Sequence, residues 1–170
     1  SFLETIDVST GARRVVYSDS SHFEAPNWSK DGKYLLINKK GKLYKIGLDD
    51  RRMESIPFPA GLGANNDHGI SPDGNMLAIS SSVIEAGDPL KGGGSSVIYT
   101  ASVNGGELKR LTKQSPSYWH GWSPDGATLA FVGRRNGDFD IYTIPVTGGE
   151  EKQLTATKGL DDGPDYSPDG

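Results

Sequence analysis

The chain has 170 residues, with 18 lysine and arginine residues against 22 aspartate and glutamate residues, and a formal net charge of −4. Charges of both signs are scattered along it, so no basic stripe indicates nucleic-acid binding and no basic cluster indicates an anionic lipid surface. No apolar run approaches the ~18 residues of a membrane-spanning helix. The chain has no cysteine, which excludes disulfides and thiolate metal sites.

The predicted elements are short strands, punctuated by glycine, asparagine and proline, that group into repeated four-stranded antiparallel units. In chain order the units cover 1–22 (the last two strands of one unit), 23–64, 65–115, 116–159 and 160–170 (the first strand of the next). An insertion at 83–95 lengthens one unit. No stretch of ten or more residues has a helical period, so we expect almost no helix.

One short phrase recurs at the end of the first strand of each unit, and its closing glycines are 42, 52 and 44 residues apart. The four copies are Trp28–Gly32, Ile70–Gly74, Trp122–Gly126 and Tyr166–Gly170, and three of them read Ser-Pro-Asp-Gly. Proline presets the second turn position, aspartate bonds nearby backbone, and glycine takes the left-handed conformation that closes a hairpin. A period of about 40–45 residues is typical of repeat architectures.

The second strand of each unit is apolar at consecutive positions, as in Leu129–Val132. A half-exposed strand would alternate, whereas a strand covered on both faces need not. Large rings before the turn, such as Trp28 and Trp122, can bury much area between neighbouring sheets. Four-stranded units that shield each other in this way predict an all-β fold, a β-propeller of four-stranded antiparallel blades.

The full phrase of the fourth unit resembles the WD-like repeat of TolB-type propellers. It runs through Trp122–Gly126, Leu129–Phe131, Ile141-Tyr142, Gly148-Gly149 and Leu154-Thr155. The first full unit departs from it, with Lys30 in place of proline and Asp49-Asp50 in place of the double glycine. The resemblance implies about four blades' worth of a six- or seven-bladed ring, of which we expect this chain to be a fragment.

Blade topology predicts which residues share a surface, because the first strand of each blade runs from an inter-blade connection down to the Ser-Pro-Asp-Gly turn. The connections and the loops between second and third strands therefore lie on one face, where loops on a rigid scaffold concentrate binding residues. The candidate binding residues on this face are Asp67, His68, Tyr118, Trp119, His120, Arg134, Arg135, Asp161 and Asp162.

His68 and His120 occupy equivalent positions in successive units. One interpretation is a metal or acid–base pair with Asp67, Asp161 or Asp162, which would resemble the histidine-rich channel of oligogalacturonate lyases. The alternative is a packing position whose imidazole bonds a neighbouring strand. Two histidines are too few ligands, and no His-x-His or His-Glu-x-x-His spacing occurs. We therefore assign no metal, catalytic residue or cofactor.

Two further groups each allow two interpretations. Tyr118 and Trp119, beside Arg134 and Arg135, form either an exposed platform for a sugar ring or a peptide aromatic, or buried filler between blades. The pair Asp161-Asp162 either contributes to a cation site or starts a turn by bonding local backbone.

These features favour a non-catalytic binding module or scaffold, whose loop-rich face holds a protein, peptide or glycan near the central channel. The alternatives are a metal-assisted lyase or hydrolase that uses His68 and His120, and a propeller that gates a serine peptidase outside this chain. We expect no nucleic-acid partner and no direct membrane insertion. Resemblance to TolB-type propellers implies a periplasmic or cell-envelope setting.

Overall fold

The structure, a computed structural model, describes residues 1–88 and 96–170, and within them every regular element is a β-strand. No helix of this part of the chain is long and apolar enough to cross a membrane. The strands are β1 (Phe2–Ile6), β2 (Arg13–Ser18), β3 (Glu24–Trp28), β4 (Tyr34–Lys39), β5 (Lys42–Gly47), β6 (Met53–Ser55), β7 (Ala64–Ile70), β8 (Met76–Ser82), β9 (Ser96–Ser102), β10 (Lys109–Arg110), β11 (Ser117–Trp122), β12 (Thr128–Arg134), β13 (Phe139–Pro145) and β14 (Lys152–Gln153).

Each sheet is an antiparallel meander in which the order in space follows the order in the chain. The half-blade consists of β1 and β2, blade 2 of β3 to β6, blade 3 of β7 to β10, and blade 4 of β11 to β14. The first strands of successive blades contact one another, β3 against β7 and β7 against β11. The predicted all-β class and the four-stranded units are confirmed.

The repeated phrase forms the predicted turn. In blade 3 the N–H of Gly74, at φ 79°, donates to the Ser71 carbonyl oxygen over 2.9 Å. Asp73 Oδ1 accepts from the Asn75 N–H over 3.1 Å, while Ser71 Oγ accepts from the Met76 N–H over 2.9 Å. The serine is therefore as much a part of the turn as the aspartate, and it ties the second strand to the end of the first.

Two apolar clusters fill the spaces between complete blades. Between blades 2 and 3 lie residues such as Leu36, Leu77 and Ile79, and between blades 3 and 4 lie Trp122, Phe131 and others. The second strands are buried at almost every position, as their consecutive apolar residues predicted. Each blade thus depends on its neighbours to cover both of its faces.

Two predicted elements differ in the structure. The predicted fourth strands are short, and that of blade 4, β14, covers only Lys152–Gln153. Residues 161–170, predicted as a first strand, form none; Leu160 makes one parallel bridge to Phe139. A strand requires a partner, and the described residues after Leu160 form no second strand that could pair with it. Residues 89–95 of the predicted insertion lie outside the described residues.

The equivalent tryptophans provide a test of packing between blades. Trp122 is 9% exposed, and its indole N–H donates to the Gly69 carbonyl of blade 3 over 3.3 Å. Trp28 holds the same position in blade 2 but is 53% exposed. Trp122→Ala should lower the free energy of unfolding by about 3–5 kcal/mol because it empties a packed site. Trp28→Ala should lower it by about 1 kcal/mol or less.

Urea titration of the two variants against the parent protein measures both effects. Equal losses for Trp28→Ala and Trp122→Ala would contradict the packing described, since only one of the two rings is covered by a neighbouring blade.

Candidate functional site

The first strands β3, β7 and β11 begin on one face of the protein, which we call the loop face, and end at the turns on the opposite turn face. Each of them has an irregular register near its start: Glu24/Asn27, Ala64/His68 and Trp119/Gly121. A bulge re-aims side chains and bends the strand. In β3 it puts Ala25 at φ 52°, a conformation that is uncommon for alanine. Polar side chains of successive blades meet at these irregular starts.

The loop-face cluster consists of Glu24, Asp67, His120 and Asp162. His120 Nε2 lies 3.2 Å from Asp162 Oδ1, and Asp67 Oδ2 accepts from Asn65 Nδ2 over 3.1 Å. Burial raises the pKa of the Asp67 carboxyl, His120 opposes this, and the negative charges of Asp162 and Glu24 raise it further. The structure therefore brings Asp67, His120 and Asp162 together, as the topology predicted, in a polar cluster in which Asp67 and His120 are partly buried and Asp162 is exposed.

His68 is not equivalent to His120 in its surroundings. It is 2% exposed, and its Nδ1 lies 3.1 Å from the Asn65 carbonyl oxygen, which can only accept, so the proton is placed on Nδ1. Nε2 is buried with no hydrogen-bond partner among the described residues. Burial lowers the pKa of His68 to about 4. The burial and the backbone contact of His68 match the packing interpretation. Its imidazole is neutral and is enclosed between the first strands of neighbouring blades.

The described residues contain no group of three histidine, aspartate or glutamate side chains arranged to hold a metal ion. His120 is paired with Asp162, and His68 is turned to the backbone of its own strand. The two histidines are therefore not arranged as a metal site or as an acid–base pair.

Trp119 belongs to the core. It is 8% exposed, its backbone N–H donates to Ser80 Oγ over 2.7 Å, and its ring lies against Gly69 of blade 3. A platform that includes Trp119 is therefore wrong, because the blade before it covers the ring; the filler interpretation describes it. Tyr118, on the other side of the strand, is half-buried.

Arg135 makes hydrogen bonds and ring contacts within its own blade. Its side chain is 6% exposed and lies over the rings of Phe131 and Tyr142, 5.5 and 5.2 Å from their centroids. Nε donates to Glu151 over 2.7 Å, and Nη1 donates to the Pro116 carbonyl oxygen over 2.9 Å. The guanidinium therefore joins the strands of blade 4 to one another.

Arg134 and Asp161 also form hydrogen bonds with residues that lie close to them in the chain. Arg134 is exposed, donates to the Gly137 carbonyl oxygen over 2.8 Å and lies over the Phe139 ring. Asp161 accepts from Thr157 Oγ1 over 2.7 and 2.8 Å, and this bond lowers the pKa of its carboxyl. The pair Asp161-Asp162 is therefore divided: Asp161 closes its own loop and Asp162 faces His120.

Sequence reasoning missed Asn27. Its Nδ2 donates to the carbonyl oxygens of Ala25 and His68, both over 3.0 Å, and so joins blades 2 and 3 beside the cluster. The signal was present: Asn27 stands where the next two blades have Gly69 and Gly121. A side chain with two donors at a glycine position indicates a bond that the other blades lack.

Comparison with known proteins decides the family. Residues 2–170 match the model of the TolB beta propeller domain. The chain belongs to the TolB β-propeller domain family. The predicted TolB-like β-propeller is thereby confirmed, while the number of blades in the complete ring stays a prediction.

Three similar proteins carry this assignment further. The uncharacterized protein Atu1656 of Agrobacterium fabrum is 46% identical over 171 residues, which cover 100% of this chain and 56% of that protein. The structure of a putative TolB from Agrobacterium tumefaciens is 46% identical, with a TM-score of 0.90 over 99% of this chain and 58% of that one. TolB from Acinetobacter baumannii is 29% identical, with a TM-score of 0.74 over 97% and 40%. The chain thus spans little more than half the length of the first two of these proteins.

The buried, neutral His68 gives a pH prediction. Its pKa is 6.5 in an unfolded chain and about 4 in the folded protein, so the unfolded state binds more protons between these values. The contribution of neutral His68 to the free energy of unfolding is fully present above pH 6.5 and is lost as the pH falls towards 4. From pH 7 to pH 5 this histidine alone should remove about 2 kcal/mol of unfolding free energy.

Urea titrations at pH 7 and pH 5 measure the slope. His68→Gln should flatten this slope, because a glutamine side chain does not titrate. An unchanged slope in His68→Gln would mean that the imidazole is solvated or charged in the folded protein.

Proposed function

We propose that the protein is a non-catalytic binding module whose loop face holds an extended segment of a protein partner near the channel. The observation that supports this most is the gathering of Asp67, His120 and Asp162 from successive units into one partly exposed polar cluster. Glu24 contributes a further carboxylate from β3. Strands β3, β7 and β11 hold Glu24, Asp67 and His120, whereas Asp162 lies in the segment that follows β14. A site held on strands loses little conformational entropy when it binds.

The chemistry of the cluster suits a peptide better than a glycan. The aromatic platform that a sugar ring would stack on is gone, because Trp119 is buried. What remains is carboxylate oxygens that accept, an imidazole, and the half-buried ring of Tyr118. These groups can accept hydrogen bonds from peptide N–H groups and pair with cationic side chains or an amino terminus.

No specific observation favours either enzymatic alternative. The lyase or hydrolase hypothesis needs two histidines at one reacting centre, but His68 is buried and neutral while His120 is bound to Asp162. The peptidase-gating hypothesis has no residue of this chain to support it. A cell-envelope setting is proposed on the likeness to proteins named TolB alone.

A random peptide library selected on the immobilised protein, followed by calorimetry on the selected peptides, tests this function. The double variant His120→Ala, Asp162→Asn should bind the selected peptides about tenfold or more weakly, because charge-assisted hydrogen bonds are lost. Lys30→Ala, on the turn face, is the matched control and should leave the affinity unchanged.

Two results would contradict the proposal. One is selected peptides that bind the double variant as tightly as the parent protein. The other is a glycan array that gives saturable binding sensitive to the same double variant while the peptide library gives none.

A further inference from the structure

A cleft of about 590 Å³ lies on the turn face between blades 3 and 4. Met76, Thr100 and Trp122 line it, and the aspartates of two successive turns, Asp73 and Asp125, stand at its mouth. Volumes of about 300–1,000 Å³ are typical of sites that take a ligand group. Both blades that form the cleft are complete in this chain, so its walls are not the open ends of the sheet stack.

The equivalent cleft between blades 2 and 3 is smaller, about 400 Å³, and it contains a lysine of the protein itself. Lys45 extends with its ammonium 4.9 Å from the centroid of the Tyr34 ring and donates to Asn104 Oδ1 over 3.0 Å. The turn aspartates Asp31 and Asp73 line this cleft as well. The protein thus shows how one of its turn-face clefts accommodates a lysine side chain.

The strand register identifies what the larger cleft has lost. Lys45 pairs with Leu36 in blade 2, and Thr100 pairs with Ala78 at the same step of blade 3. Thr100 therefore stands where Lys45 would be. At the start of the same second strands, on the same face as Leu36 and Ala78, Met76 of blade 3 stands where blade 2 has Tyr34. A short hydroxyl side chain leaves unfilled the space that a long cationic one occupies next door.

We propose that the cleft between blades 3 and 4 accepts a lysine side chain from a partner protein, whose stem takes the space that Lys45 occupies in the preceding cleft. The Lys45 ammonium turns to Tyr34 and Asn104, whereas that of the entering lysine turns to the aspartates of the turns. The apolar stem of the lysine lies along Met76 and Val146, which pack at the edge of the inter-blade core. Its ammonium meets the carboxylates of Asp73 and Asp125 at the mouth. Long cationic side chains combine apolar stems and charged heads in this way.

The two aspartates are suited to this because each keeps its charge. Hydrogen bonds from the turn serines, Ser71 and Ser123, lower the pKa of both carboxyls, that of Asp73 to about 2. Asp125 Oδ1 accepts from Ser123 Oγ over 2.6 Å and from the Ala127 N–H over 2.9 Å. Its Oδ2 makes no hydrogen bond within the described residues and is free to accept another.

A cation already borders the cleft, and it does not oppose the proposal. Lys109 lies on the outer strand β10, and its Nζ donates to the Thr147 carbonyl oxygen over 2.7 Å, which closes the outer end. The aspartates lie at the inner end, where first and second strands join. The entering lysine therefore approaches the carboxylates from the turn face, opposite to the loop-face cluster, and this is a second surface beyond the proposed peptide site.

Nuclear magnetic resonance titration tests the proposal with two short blocked peptides, Gly-Lys-Gly and Gly-norleucine-Gly. The lysine peptide should shift the Met76 methyl and Trp122 indole resonances saturably, with an affinity about fivefold higher than that of the norleucine peptide, which has a stem but no charge. The double variant Asp73→Asn, Asp125→Asn keeps the hydrogen-bond acceptors of the turns. It should lower the affinity for the lysine peptide to that for the norleucine peptide.

Thr100→Lys recreates the internal lysine and should abolish the shifts. Thr143→Lys, at the same strand step of blade 4, is the matched control and should leave them unchanged. If Thr100→Lys does not fold, the asparagine double variant still decides. The proposal is overturned if no saturable shift occurs, if both peptides bind alike, or if a folded Thr100→Lys variant binds as the parent does.

Discussion

The close approach of one blade to the next, through the inner strands, is the constraint on which the rest of the structure depends. The ring of Trp119 in β11 packs so closely on Gly69 of β7 that a Cβ atom added to this glycine would overlap the ring. At the end of the same strand, the Trp122 indole N–H donates to the carbonyl oxygen of the same glycine. These contacts exclude water between the blades, and they allow second strands such as β8 and β12 to be apolar on both faces.

The same packing explains why two equivalent histidines differ. His68 lies in β7, between β3 and β11, and Asn27 of blade 2 closes over its carbonyl oxygen. His120 lies in β11, where the only described residues beyond are those of the segment that contains Asp162, and its side chain remains 25% exposed. Burial removes the charge from one imidazole, while the other is left accessible beside a carboxylate. Position in the stack decides the chemistry of a repeated residue.

Much of the fold could be predicted from the sequence because its signals are local. The turn phrase carries its own geometry, as the bonds around Asp73 and Gly74 show. The apolar run of β12 reports that both of its faces are covered. Placing Asp67, His120 and Asp162 on one face needed only the direction of the first strands.

The rest depends on how blades are turned against each other, which local patterns do not contain. Trp119 and Tyr118 are neighbours in sequence, yet only the space beside Gly69 decides which ring is buried. Arg135 looked like a loop cation, but its partners are Tyr142 of β13 and Glu151, which precedes β14. The turn-face cleft likewise becomes visible only when Thr100 is aligned with Lys45 through the strand register.

The most direct test of blade-to-blade contact compares two equivalent glycines. A Cβ at Gly69 would overlap the Trp119 ring, whereas a Cβ at Gly121 would meet its nearest atom, Asp165 Oδ1, at 3.3 Å. Urea titration should show that Gly69→Ala lowers the unfolding free energy by about 1–3 kcal/mol. Gly121→Ala should change it by about 0.5 kcal/mol or less. Equal effects at the two glycines would contradict the account, because they would mean that the inner strands of blades 3 and 4 are not in contact at this point.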